Sequence, residues 1–170
     1  GMTWEELRHA VGEIGDLTPH LVSAERVSVL ALGRPHGDSP DEAALSAVLR
    51  SLERSHDMVV VDLGDGARLA ELGRRVVPLL MVGADVRSVA AARMRARRID
   101  LTGALLVVRV GKGRGLPPEA VSDALGLPLA GVVRDDPKVP RLAAQGASVG
   151  SRPAARLRRD SARLLKEVRL

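Results

Sequence analysis

The chain has no cysteine, phenylalanine or tyrosine, and Trp4 is its one large aromatic residue. Without cysteine there are no disulfide frameworks, zinc–thiolate sites, iron–sulfur clusters or cysteine nucleophiles. With one aromatic there are no stacking platforms of the kind that single-stranded nucleic acid needs. No apolar run reaches the roughly 18 residues that span a bilayer. The start, Gly1-Met2-Thr3-Trp4-Glu5-Glu6, is polar and acidic, unlike a signal peptide. Gly1 ahead of Met2 reads as a residue left by tag removal. His9, His20, His36 and His56 have no metal-ligand spacing and read as surface residues. No elbow motif supports Ser/His/Asp catalysis. The sequence also lacks Gly-x4-Gly-Lys-Ser/Thr, and no Gly-x-Gly-x-x-Gly follows a strand.

What is there suits a soluble α/β protein. The 170 residues are 45% hydrophobic and 28% charged, enough for one domain of ordinary size. Charge is uneven: residues 1–85 carry a net −6 and residues 86–170 a net +11. A basic half suggests an acidic partner, nucleic acid or anionic lipid. Only Lys112, Lys138 and Lys166 among the 26 basic residues are lysine, a bias that GC-rich coding DNA also produces.

Hydrophobic spacing alternates strand and helix. Thr3 with Glu6 forms a capping-box pattern that predicts a helix to about Ile14. Val27–Leu32 reads as a buried strand, Gly33–Pro40 as a loop and Asp41–Ser55 as a helix. Met58–Leu63, apolar on both faces, reads as the clearest central parallel strand. A helix over Ala67–Gly73 follows, then a buried strand within Val76–Val82, the strand proper starting after Pro78. Further helices are expected over Asp85–Arg98, from Pro117 to Leu125, over Pro137–Gln145 and over Pro153–Val168. Further strands are expected at Ala104–Val108 and Leu129–Val133. The fold expected is one α/β domain over 1–170 with residues 1–24 as an N-terminal helical segment. Its mostly parallel sheet has about five strands, with helices on both faces.

Functional residues in such sheets sit just beyond the carboxyl ends of the strands. Asp62 follows a β-branched run, the arrangement of a Walker B aspartate that holds Mg²⁺ through water; the plain alternative is a loop cap. Gly111-Lys112-Gly113-Arg114-Gly115 has the wrong order for a phosphate loop and reads as an exposed loop. The last helix has Leu157, Ser161, Leu164, Leu165 and Val168 on one side and basic residues around the rest. It either lies on anionic membrane or covers the sheet.

Taken in order, these pieces resemble the MinD/ParA family of P-loop ATPases, and within it the CpaE-like or Ssd-like (septum site-determining) branch. The matching segments are Asp57–Leu63, Leu79–Val82, the helix after Asp85, Leu106–Gly111 with its Gly-rich loop, and Ala120–Asp136. The likeness covers residues from about 25 to the end and implies a fold like the C-terminal part of a P-loop NTPase domain. Residue by residue, it implies cofactor-binding positions at Asp62, Gly64, Gly66, Arg109 and Gly111. Asp62 would also be the metal position, through water. Gly64 stands where the family has proline, and the usual base-contacting asparagine is absent near Arg109.

The family's first strand and Lys-Gly-Gly-x-Gly-Lys-Thr loop are missing from the chain. Either Met2 is not the true start, or the chain is a degenerate pseudo-ATPase. ATP and Mg²⁺ are expected only if a P-loop segment lies upstream; no cofactor is expected for the chain as given. Without that loop nothing grips the β- and γ-phosphates, so ATP hydrolysis is not expected.

The resemblance therefore implies a cytoplasmic protein acting by association with division, pilus or secretion machinery, with a homodimer among the partners. The alternative is a ParA-like module binding DNA without sequence preference through Arg87, Arg93, Arg95, Arg97 and Arg98. A membrane surface ranks below both.

Overall fold

The computed structural model describes residues 1–24, 27–32, 40–64, 69–72, 76–147 and 154–168. The chain divides into two units, Gly1–Arg74 and Arg75–Leu170.

In the first unit Thr3 opens a helix as expected, donating its N–H to the Glu6 carboxylate at 2.8 Å. The helix, α1, covers Trp4–Leu7 and does not run on to Ile14. Gly12, at φ 79°, takes the chain into left-handed backbone incompatible with a continuing helix. The main helix, α2, spans Glu42–Ser55. Asp41 caps it, accepting the Ala44 N–H at 2.7 Å. Its apolar stripe is buried: Val48 and Leu52 meet Leu7, Leu17 and Leu21 in one core. Trp4, Ile14 and Val59 pack against that core partly buried. Ser51 Oγ donates to the Gly15 carbonyl and Arg54 to the Ile14 carbonyl, each at 2.6 Å, fastening this loop to α2.

Two expected strands in this unit are corrected. Of Val27–Leu32, only Val27–Val29 is a strand, β2, and it pairs antiparallel with β1, Val22–Ala24. Its valines are not buried: Val27 is 60% exposed and Val29 43%. Met58–Leu63 forms no strand at all. A ladder needs a neighbour to take its N–H and C=O groups, and no described strand pairs with this run. Most of the Gly33–Pro40 loop lies outside the described residues. Within the expected Ala67–Gly73 helix, Leu69–Leu72 forms a 3₁₀ turn and the rest is likewise outside.

Among the described residues the second unit is built on a parallel sheet of three strands, and the expected count of about five is not reached. They are β3 (Leu79–Gly83), β4 (Leu105–Val110) and β5 (Leu129–Arg134), with β4 in the middle. As expected, β3 starts just after Pro78, whose carbonyl accepts the Leu105 N–H at 2.9 Å, but it is not buried as expected, since as an edge strand it leaves Leu79 and Met81 exposed. Two crossover helices join the strands, α3 (Val86–Ala96) and α4 (Pro118–Leu125). Pro118 opens α4, and Gly126 at φ 66° closes it in left-handed backbone. Val82, Leu106 and Val108 pack with Val89, Ala92 and Val121 of these helices.

The other sheet face carries Val107 and its register partner Gly131. There the last helix, α6 (Ala155–Val168), lies over β5, since a Cβ on Gly131 would stand 3.5 Å from Leu164. A six-residue helix, α5 (Val139–Ala144), precedes it. The result is a mixed α/β fold with a small parallel sheet and helices on both of its faces.

Candidate functional site at the carboxyl edge of the sheet

Parallel strands deliver the residues that follow them to one edge. Here the chain beyond β3, β4 and β5 is stitched together by backbone. The Ala84 N–H donates to the Arg109 carbonyl at 2.9 Å, the Asp135 N–H to Val110 at 2.8 Å and the Leu116 N–H to Ala84 at 3.0 Å. After β4 the chain turns tightly, the Arg114 N–H donating to the Gly111 carbonyl at 3.0 Å. Gly113 sits third in that turn at φ 76°, a position that favours glycine. The expected exposed loop is thus a hairpin that carries Arg114 back over the edge.

Four charged side chains converge there. Asp135 accepts Arg109 Nε at 2.6 Å through one oxygen and Arg114 Nη1 at 2.7 Å through the other. Arg114 Nε lies 3.7 Å from Asp85 Oδ2, and this buried N–H has no hydrogen-bond acceptor among the described residues. Asp85 caps α3, accepting the Ser88 N–H at 2.9 Å and the Ser88 hydroxyl at 2.8 Å. The bond from Arg109, with both arginine charges, holds the Asp135 carboxyl below the usual carboxylate value. Asp85 is lowered first by the Ser88 N–H.

Two glycines make this closeness possible. A Cβ on Gly111 would collide with the Asp135 carboxylate. One on Gly83 would stand 2.7 Å from Ser88 Oγ and 2.9 Å from Asp85 Oδ2.

A second acidic pair anchors the same edge to the helices behind it. Asp136, buried, accepts the Lys138 N–H at 3.0 Å and the Arg156 N–H at 3.1 Å. Asp160 of α6, 3% exposed, takes the Arg134 backbone N–H at 3.0 Å. It also takes Arg134 Nε at 3.0 Å and Nη2 at 2.6 Å. The Arg134 bond lowers the Asp160 carboxyl, and in return Asp160 raises Arg134.

Of the cofactor positions that the resemblance implies, Arg109 and Gly111 stand at this edge. Asp62 and Gly64 belong to the first unit, and Gly66 lies outside the described residues. Asp62 is exposed and accepts the Gly64 N–H at 3.0 Å, a local turn with no strand behind it. Among the described residues no group of three or more potential metal ligands gathers. The edge does not fit a nucleotide triphosphate. Its two arginines already face two aspartates, and the Asp135 carboxylate fills the space against Gly111.

The arginines of the nucleic-acid alternative, Arg87, Arg93, Arg95, Arg97 and Arg98, are all exposed on α3 or just beyond it. Arg93 Nε donates to the Ala124 carbonyl of α4 at 2.9 Å. The exposed Arg156, Arg158, Arg159, Arg163 and Lys166 ride on α6, on the other side of the sheet. Basic charge is therefore shared between two faces.

Sequence reasoning missed Asp85, Ser88, Arg114 and Asp135 as a group. A signal was present: each strand of the parallel sheet is followed within a few residues by an ionisable side chain.

Compared with protein-family models, curated proteins and solved structures, the chain matches none. Among the described residues no helix is long and apolar enough to cross a membrane.

Proposed function

We propose that this chain is a MinD/ParA-like protein of the CpaE-like or Ssd-like kind. In this reading it acts in the cytoplasm by associating with other proteins, in spatial regulation of cell division or of pilus or secretion machinery, and does not hydrolyse ATP. The observation that carries the reading is the carboxyl edge of the parallel sheet. Strand, Asp-capped helix, strand, Gly-rich turn, proline-opened helix, strand and acidic loop follow one another in the order of that family. Arg109, Arg114, Asp135 and Asp85 pair with one another at this edge, which supports a reading in which it holds no nucleotide. A site so neutralised supplies neither the positioning nor the positive field that phosphoryl transfer requires. The test is phosphate release from Mg·ATP. The reading expects none above a no-enzyme control; turnover that Asp62→Ala abolishes would overturn it.

One observation favours a second reading, DNA binding without sequence preference: the net +11 of residues 86–170. Phosphate contacts release counterions, so such binding would fall steeply with salt. The split of arginines between α3 and α6 counts against it, because one duplex does not face both sides of a sheet. No mobility shift at low salt would remove it.

A further inference from the structure

Strand β3 is an edge of the parallel sheet. Pro78 and Ala84 bond to β4 through their backbone, so by strand alternation Leu79 and Met81 direct their N–H and C=O groups away from it. Among the described residues nothing takes those groups. The side chains are also open: Leu79 is 43% exposed and Met81 59%. Such an edge is a template for another strand unless charge, proline or a bulge blunts it, and Leu79–Gly83 contains none of these.

The same chain carries a segment with the opposite lack. Met58-Val59-Val60-Val61 has strand-forming residues and, among the described residues, no strand partner. Met58 is 45% exposed, Val60 83% and Val61 36%. It lies in the unit Gly1–Arg74, whose sequence carries a net −6, whereas β3 lies in Arg75–Leu170, with a net +11.

We propose that two copies of this chain associate by strand exchange, Met58–Val61 of each adding to the β3 edge of the other. Backbone hydrogen bonds would supply the pairing, and Val60 and Met81 would cover apolar surface left open in one copy. The unlike net charges of the units favour unit one of one copy against unit two of its partner and disfavour like against like. A two-fold arrangement makes the contact twice, which matters because one four-residue strand alone buries too little for a stable dimer. The proposal names the partner for the association reading above and rests on it.

The absence of native cysteine makes the test direct. Val60→Cys and Met81→Cys are each at exposed positions, and circular dichroism checks that both variants fold. Mixed and mildly oxidised, they are expected to form a disulfide-linked dimer containing one chain of each, while either variant alone forms at least tenfold less. Sedimentation of the wild-type chain is expected to show a concentration-dependent dimer that Met81→Lys weakens at least tenfold. A wild-type monomer at all concentrations, or cross-linking no greater in the mixture than in either variant alone, would overturn the proposal. So would a Val60→Cys/Met81→Cys double variant that closes its disulfide within one chain at high dilution. The two failures are separable. ATP turnover sensitive to Asp62→Ala would sink the association reading whatever the cross-links show. A missing cross-link without ATP turnover would sink strand exchange alone.

Discussion

Asp135 accepts from Arg109 and Arg114 at once, and Gly111 lies against its carboxylate. Removing that charge leaves Arg109 and Arg114 without the carboxylate that they share. Asp135→Asn is expected to cost about 1.5–3 kcal/mol of stability, the range for hydrogen bonds to charged groups. Gly111→Ala should cost a similar amount, about 1–3 kcal/mol, because the carboxylate must leave its place to admit a methyl group. Urea titration of each variant measures both; a loss within error of zero would mean that the edge tolerates rearrangement.

The same carboxylates fix the acid limit. Asp85, Asp135, Asp136 and Asp160 are all held below their ordinary value of 3.8 by hydrogen bonds to the charged form. The native state therefore binds these protons less readily than the unfolded chain does. Their stabilisation is complete above the unfolded value and is lost as pH falls through the lower folded values. Thermal melts of the wild type should hold steady down to about pH 5 and fall below about pH 4. Melts of Asp135→Asn should fall less over the same range.

At the scale of elements, what was legible was what local chemistry decides. Asp41 ahead of an apolar stripe, the prolines that open α4, and Pro78 before β3 each constrain the backbone within a few residues, and each stands where it was expected. Asp41→Ala should cost about 1 kcal/mol, the usual value of an N-cap, read as a shifted urea midpoint with unchanged slope. Met58–Leu63 shows the limit. Its residues suit a strand, but pairing is a property of two segments, and composition cannot name the second. Hydrogen exchange checks this. At low protein concentration the amides of Met58–Leu63 should exchange far faster than those of Leu106–Val108, which lie in the central strand. Equal protection would mean that the run is paired after all.

The candidate site was legible only in part, for a related reason. Arg109 and Gly111 fall at the sheet edge because a strand must end there. Asp85, Arg114 and Asp135 come together only once three strands are aligned in register. Asp62 was chosen for its place after an apolar run, and it loses that support because the run forms no strand.

The whole chain carries an acidic unit, net −6, and a basic one, net +11, and the basic unit holds a sheet edge whose charges are already matched. In the association reading proposed above, partners would meet these charged surfaces, with salt weakening the encounter. The most direct test of that account is sedimentation velocity of the wild-type chain with and without Mg·ATP, with released phosphate assayed in the same samples. The account predicts the same mass distribution in both and no phosphate above background. A larger species that appears only with Mg·ATP and decays as phosphate is released would contradict it.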